Sequence, residues 1–236
     1  LEAAFIKPAI PPARPKMVCL KPSQVVNKKR VMYQFDGEFA EVFGSPERHA
    51  KWFITGPSFS GKSNFVFKLC AYLCRFGMVW MNNFEEGDAA TVAQKLERFE
   101  LTQFDSHFRL YPRAPIPDFK AALLRKRSGN IAVVDSIQHA HMNKRLYDDF
   151  SMALSNPRRG KMLLFISHYS KNDFTSHVRH DCDIKIEVIG FVARVESRYG
   201  QQKQMLLIWE EGAKKYWGKH YKKVLEGKFW TGIWKK

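Results

Sequence analysis

Lys62 and Ser63 close the run Gly56-Pro-Ser-Phe-Ser-Gly-Lys-Ser63, which has the spacing Gly-x-x-x-x-Gly-Lys-Ser. Glycines at both ends let backbone N–H groups turn inward with no Cβ in the way, so the run can wrap a chain of phosphates. Lys62 would reach the β- and γ-phosphates, and the hydroxyl of Ser63 would sit on Mg2+. The full cradle comprises Gly56, Pro57, Ser58, Phe59, Ser60, Gly61, Lys62, Ser63 and Asn64. About 70 residues further on, Ile131-Ala-Val-Val-Asp135 ends four apolar residues on a carboxylate placed to serve the same ion. The pair implies a site for a nucleoside triphosphate and Mg2+.

These residues need elements to hold them. Trp52-Phe-Ile54 reads as a short buried strand before the loop, and Phe65, Leu69, Leu73 and Phe76 recur at helical spacing after it, with Gly77 as the stop. Strand, loop and helix in that order are the context the phosphate loop requires. The helix beginning near Lys62 would add its positive dipole end. Met78–Met81 follows as a second strand, and 82–88 as a loop carrying Glu85 and Glu86. Asp88 is then read as the cap of a helix striped by Val92, Leu96 and Phe99. A strand at 107–111, a helix capped by Asp118 and running to Arg127, and the buried strand 131–135 come next. Residues 142–154 are predicted helical, 162–166 a strand and 167–182 a polar loop. Strands at 184–189, 191–195 and 205–209 form hairpins. Residues 31–50 have too weak a period to assign. The alternation specifies an α/β fold with a mainly parallel central sheet, flanking helices, a nucleotide at the C-terminal strand edge, and C-terminal β-hairpins.

With 236 residues, 45% hydrophobic and 14% aromatic, the chain can bury a sizeable core, and disorder is excluded as its general state. No apolar run approaches the ~18 residues of a membrane span. The start, Leu1-Glu-Ala-Ala4, has no signal-peptide layout and no Met, so a trimmed chain is expected. Cys19, Cys70, Cys74 and Cys182 make no zinc or disulfide pattern, which fits a reducing, cytoplasmic setting. The net charge of +16 is concentrated at the ends: +6 in residues 1–30 and +7 in residues 212–236, leaving +3 between them. The expected organisation is therefore a basic, proline-rich arm (1–30), a nucleotide-binding core (31–211) and a basic aromatic segment (212–236). Arms of this charge suit a polyanion, or serve only as solubilising tails.

Water activation needs a carboxylate near the γ-phosphate, and the residue after Asp135 is Ser136 rather than Glu. Glu85 and Glu86, after the second strand, are the alternative. Here the chain resembles the RecA/RadA/KaiC superfamily of P-loop ATPases, in which the second strand leads into a catalytic Glu or Glu-Glu pair. Val133-Val-Asp-Ser-Ile137 is similar to that group's Walker B strand. Phe165-Ile-Ser-His-Tyr-Ser-Lys171 resembles the RadA stretch Gly-His-Val-Thr-Lys, where the strand end senses the γ-phosphate. Val178 to Asp183 resembles the lead-in to its next strand. Glu196-Ser-Arg-Tyr-Gly200 resembles the motif Lys-Asn-Arg-Phe-Gly, with Glu196 in place of the lysine. The likeness covers residues 50 to 210 and is closest to the RadA-like ATPase core, without its zinc and Lon-like domains.

The resemblance implies Glu85 as the base, Glu86 as its understudy, His168 as the γ-phosphate sensor, and Arg198 as an arginine finger reaching across a subunit boundary. An exposed strand arginine and solvated loop glutamates are the plainer readings of the same residues. It also implies oligomerisation into a ring or filament, and DNA lined by the loops carrying His139, His141, Lys144 and Arg145, then Lys171, His177, Arg179 and His180. In residues 212–236, Tyr216, Trp217, Tyr221, Phe229, Trp230 and Trp234 alternate with eight lysines. That mixture suits unpaired bases on single-stranded DNA, or packing on the core or a neighbouring subunit. The function implied is ATP hydrolysis coupled to DNA recombination, repair or replication. A KaiC-like nucleotide-gated switch with protein partners and no DNA is the rival.

Overall fold

A computed structural model describes residues 19–155, 160–170 and 172–232. The chain divides into two compact units, Leu1–Arg30 and Val31–Lys236. In the first, the arm expected to be extended contains one helical turn, α1 (Pro22–Val26). Pro22 opens it with φ already near the helical value, and Gln24 Oε1 accepts a hydrogen bond from Lys21 N at 2.8 Å. The rest of the arm's prolines lie outside the described residues.

The second unit begins with α2 (Gly37–Phe43), then alternates β1 (Lys51–Gly56), α3 (Lys62–Leu73), β2 (Val79–Asn83), α4 (Ala90–Arg98), β3 (Phe108–Pro112), α5 (Ile116–Leu124), β4 (Ile131–Asp135), α6 (Lys144–Leu154) and β5 (Met162–His168). It continues with α7 (Asp173–Asp181), β6 (Ile184–Ile189), β7 (Val192–Ser197), β8 (Met205–Leu207), α8 (Glu210–Trp217) and α9 (Tyr221–Leu225). The strands form one sheet in the order β3-β2-β4-β5-β1-β6-β7-β8, parallel from β3 through β6 and antiparallel at β7 and β8. Mainly parallel sheet, flanking helices and terminal hairpins are thus all present.

Strand alternation decides which residues face which helical layer. Trp52, Ile54, Val133, Leu164 and Ile166 join one core with Phe43 of α2, Phe65 and Leu69 of α3, and Val92 of α4. Phe53, Ala132, Val134, Leu163 and Phe165 join the other with Phe119 of α5, Phe150 of α6 and Val178 of α7. Both faces are covered, so the strands read as unbroken apolar runs. Each fully buried large side chain contributes ~1.5–3 kcal/mol by leaving water.

Four local expectations are corrected. Residues 167–182 are not only loop: α7 forms because Asn172 accepts a hydrogen bond from Thr175 N at 2.8 Å and Val178 is fully buried. Asp88 does not cap α4, whose N-cap is Ala89, and Asp118 lies in the first turn of α5 behind Pro115. α5 stops at Leu124 rather than Arg127. Residues 31–50, unassigned from sequence, supply α2, and Phe43 packs against Trp52 with ring centroids 4.5 Å apart.

Residues 212–232 fold onto the hairpin strands. Ala213, Trp217 and Val224 form a third core with Ile189 and Val192. Trp217 Nε1 donates to Gly190 O at 3.0 Å, and Trp230 Nε1 donates to the buried Glu187 carboxylate at 2.7 Å. Trp234 lies outside the described residues. Among the described residues no helix is long and apolar enough to cross a membrane.

Candidate nucleotide site

The sheet order places β2, β4, β5 and β1 side by side, so their C-terminal ends open onto one edge. Register brings Asn83 beside Asp135, Asp135 beside Ile166, and Gly56 beside His168. The loop after β1, the Glu85 loop after β2, Asp135 at the end of β4 and His168 at the end of β5 are therefore neighbours.

The phosphate loop is shaped for close approach. A Cβ at Gly56 would meet Val188 O at 2.2 Å, and Gly61, at φ 91°, would drive one into the Phe191 ring at 2.7 Å. Phe191 N also donates to Ser60 O at 2.9 Å, so the β6–β7 turn braces the loop from outside. Lys62 begins α3 and is almost buried; its ammonium donates to Gly56 O at 3.3 Å, a neutral acceptor it can exchange for phosphate. Ser60 Oγ is buried with no hydrogen-bond partner among the described residues. Phe59 has φ 58° and its side chain is 99% exposed, so its backbone rather than its ring belongs to the cradle. A cleft of about 640 Å3 is lined by Pro57–Phe59, Gly61–Asn64, Glu85 and Glu86, and closed by Thr91, Gln94, Lys95 and Arg98 of α4 and by Phe191.

Asp135 is 5% exposed, and its Oδ1 has no hydrogen-bond partner among the described residues. Burial, with the Glu85 charge beside it, pushes this carboxyl up to about 7 against the pull of Lys62; Glu86 adds to the rise and Lys95 opposes it. An orphaned buried carboxylate next to a phosphate loop is what a divalent cation would satisfy, and Ser63 lines the same cleft. The residues fit Mg2+. The peptide between Asp135 and Ser136 is cis.

The two glutamates are sorted by their partners. Glu86 accepts hydrogen bonds from Thr91 and Lys95. Burial would raise its carboxyl, but the bonds from Lys95 and Thr91 hold it below its ordinary value. Glu85 points instead toward the strand ends: its Oε2 lies 3.4 Å from His168 Nε2. Its loop is pinned by Phe84 N and Glu85 N donating to Asp135 O at 2.5 and 3.2 Å, and by the buried Asn83, whose Oδ1 accepts from Glu86 N at 3.1 Å. His168 is held by Gln138 Oε1 on its N–H at 3.1 Å and by Thr55 Oγ1 donating to its carbonyl at 3.0 Å. β5 and β1 are therefore joined by a side-chain hydrogen bond as well as by their ladder at this residue.

Arg198 is not part of this cleft. Ser197 pairs with Ile184, and Ile184 with Trp52, at the opposite end of β1 from Gly56. The four residue steps along the strand from Trp52 to Gly56 span ~13 Å. Arg198 is 61% exposed and its Nη1 sits 3.3 Å from Asp183 Oδ1, so a finger role can only be toward another copy. Of the residues expected to line DNA, His177 pairs with Asp148 at 2.9 Å and Arg179 with Glu196 at 3.4 Å, while Lys171 lies outside the described residues. Sequence reasoning missed Lys95, Arg98 and Phe191. Only their place in the fold marks them, although the glycine at 190 before Phe191 was a turn signal.

No protein-family model and no curated protein matches this chain. Among solved structures, the crystal structure of the flagellar accessory protein FlaH from Methanocaldococcus jannaschii is similar, with a TM-score of 0.54 and 13% identity over 75% of this chain and 93% of that one. At that identity the likeness is one of fold. The chain has a RecA-like P-loop fold. In this RecA-like frame the cleft lies at the C-terminal strand edge, where open α/β sheets bind their ligands.

Proposed function

We propose that this chain is a Mg2+-dependent ATPase, nearest in its motifs to the RadA-like core, that assembles with copies of itself and acts on single-stranded DNA. The observation that carries the hydrolytic part is Glu85: it stands across the phosphate-loop cleft from Lys62, free of the ion pair that engages Glu86. Backbone N–H groups of residues 58–63 and the α3 N-terminus hold the phosphates, and Lys62 leaves Gly56 O for the β- and γ-oxygens. Ser63 and Asp135 would hold Mg2+, which would neutralise phosphate charge there. Glu85 orients water and takes its proton, and His168 links that carboxylate to the end of β5. Arg198, outside its own cleft, is assigned to a neighbour's.

The DNA part rests on charge. Lys215, Lys219, Lys222 and Lys223 are exposed on α8, α9 and the turn between them. The inward packing of Trp217 and Trp230 removes two stacking platforms, and this favours the second reading, a nucleotide-gated switch with protein partners. ATP turnover with and without single-stranded DNA separates them. The proposal expects turnover abolished by Lys62→Ala and stimulated by DNA, with stimulation lost when the four lysines become glutamine. Full turnover by Lys62→Ala would sink the ATPase reading. Indifference to DNA at low salt would move the assignment to the switch.

A further inference from the structure

The loops after β2 and β4 and the last residue of β5 bring Glu85, His139 and His168 together, with one ligand atom from each and all three within 4.8 Å of one another. Glu85 Oε2 and His168 Nε2 are 3.4 Å apart. The two imidazoles stand nearly perpendicular, centroids 4.9 Å apart, and share Ser136 Oγ, which is 2.9 Å from His139 Nδ1 and 3.4 Å from His168 Nε2. Two imidazoles and a carboxylate do not suit Mg2+, which prefers oxygen ligands in octahedral geometry; they suit zinc and its first-row neighbours. Tetrahedral zinc with bonds near 2.1 Å holds its ligand atoms about 3.4 Å apart, the separation Glu85 and His168 already have. Asp135 O holds Glu85 N, Gln138 holds His168 N and Ser136 Oγ lies 3.4 Å from His139 N, so the set can close by side-chain rotation.

We propose that Glu85, His139 and His168 bind a zinc-class transition ion at a site separate from the Mg2+ position at Ser63 and Asp135. Occupancy arrests hydrolysis by engaging the Glu85 carboxylate that would otherwise orient water. The arrest rests on Glu85 being the base; the binding does not. Glu85 and His139 are exposed, so an ion reaches them directly from solvent. Three protein ligands leave a fourth position open, unlike the four-ligand structural zinc sites.

The binding test is equilibrium dialysis of the untagged, nucleotide-free protein against zinc, with Co2+ absorption as a second probe of geometry. One equivalent should be retained, with a tetrahedral Co2+ spectrum. His139→Ala, His139→Asn and His168→Ala should each weaken retention at least ~10-fold, a loss that even the outer hydrogen-bond partners of a metal ligand produce. Melting curves check that the variants fold. No retention by the wild type, or equal retention by all four proteins, overturns the site. For the arrest, Mg2+–ATP turnover is measured at buffered free zinc and each protein is compared with itself. The wild type should slow severalfold and recover with a zinc-selective chelator, and His139→Ala should not slow. Equal slowing of both overturns the arrest. Glu85→Gln in zinc-free buffer separates the two ideas: if it still turns over ATP, the base assignment and the arrest fall while zinc retention is judged on the histidines alone.

Discussion

Asp135 carries a buried carboxylate whose proton is held more tightly in the folded protein than in the unfolded chain, where the ordinary value is 3.8. Between about 4 and about 7 the folded state is protonated and the unfolded state is not, so stability falls as pH rises through that window and levels off above it. The difference corresponds to a few kcal/mol at ~1.4 kcal/mol for each tenfold change. In magnesium-free buffer the melting temperature should therefore drop from pH 5 to pH 8, and Asp135→Asn should flatten that drop. An unchanged slope in the variant would place the titration elsewhere. Glu85 and Glu86 make a second residue-level contrast. Glu85→Gln should keep ATP binding and lose ~10²-fold or more in turnover, as removing a positioned base does. Glu86→Gln loses a partner of Lys95 and Thr91, so it should disturb α4 and the cleft wall first, seen as weaker nucleotide binding. Near-silent Glu85→Gln beside a dead Glu86→Gln would exchange their roles.

At the scale of elements, the phosphate loop depends on a hairpin distant in sequence. Phe191, at the β6–β7 turn, hydrogen-bonds Ser60 O and packs on Gly61; Trp217 of α8 holds that turn through Gly190 O. Trp217→Ala removes a side chain that is 6% exposed and should cost ~3–5 kcal/mol. For a chain of this size that lowers the melting temperature by roughly 6 °C or more. Because the same turn braces the loop, KM for ATP should rise more than kcat falls. A stability loss with an unchanged KM would show the hairpin to be packing only. Deleting residues 213–236 would therefore confound DNA binding with unfolding, which is why glutamine at the four lysines is the cleaner test.

For the whole molecule, the sheet separates the cleft from Arg198 by the length of β1. If copies pack with one cleft against another's β7 end, Arg198→Ala and Glu85→Gln each fail alone, and mixing them regenerates some interfaces with both groups intact. Partial rescue of turnover is the expected outcome. No rescue in mixed assemblies would leave Arg198 as the partner of Asp183 and nothing more.

Local chemistry determined a good deal. Gly56, Gly61, Lys62 and Ser63 could be read because a phosphate loop needs its glycines and lysine at set spacing, and β4 because a doubly covered strand is continuously apolar and ends where its carboxylate emerges. The strand–helix alternation carried the fold class for the same reason. What spacing could not supply was the sheet order, which depends on long-range pairing and alone places Glu85, Asp135 and His168 side by side. Nor could it tell Glu85 from Glu86, adjacent in sequence but distinguished by the orientation of the following helix, which turns Lys95 toward Glu86. The lysine–aromatic alternation of residues 212–232 fits either a nucleic-acid surface or a helix with one buried face. The tertiary structure decided the place of Trp217, which packs on the apolar hairpin at Ile189 and Val192 because large rings leave water wherever the fold offers an apolar surface to cover them, while the lysines stay exposed.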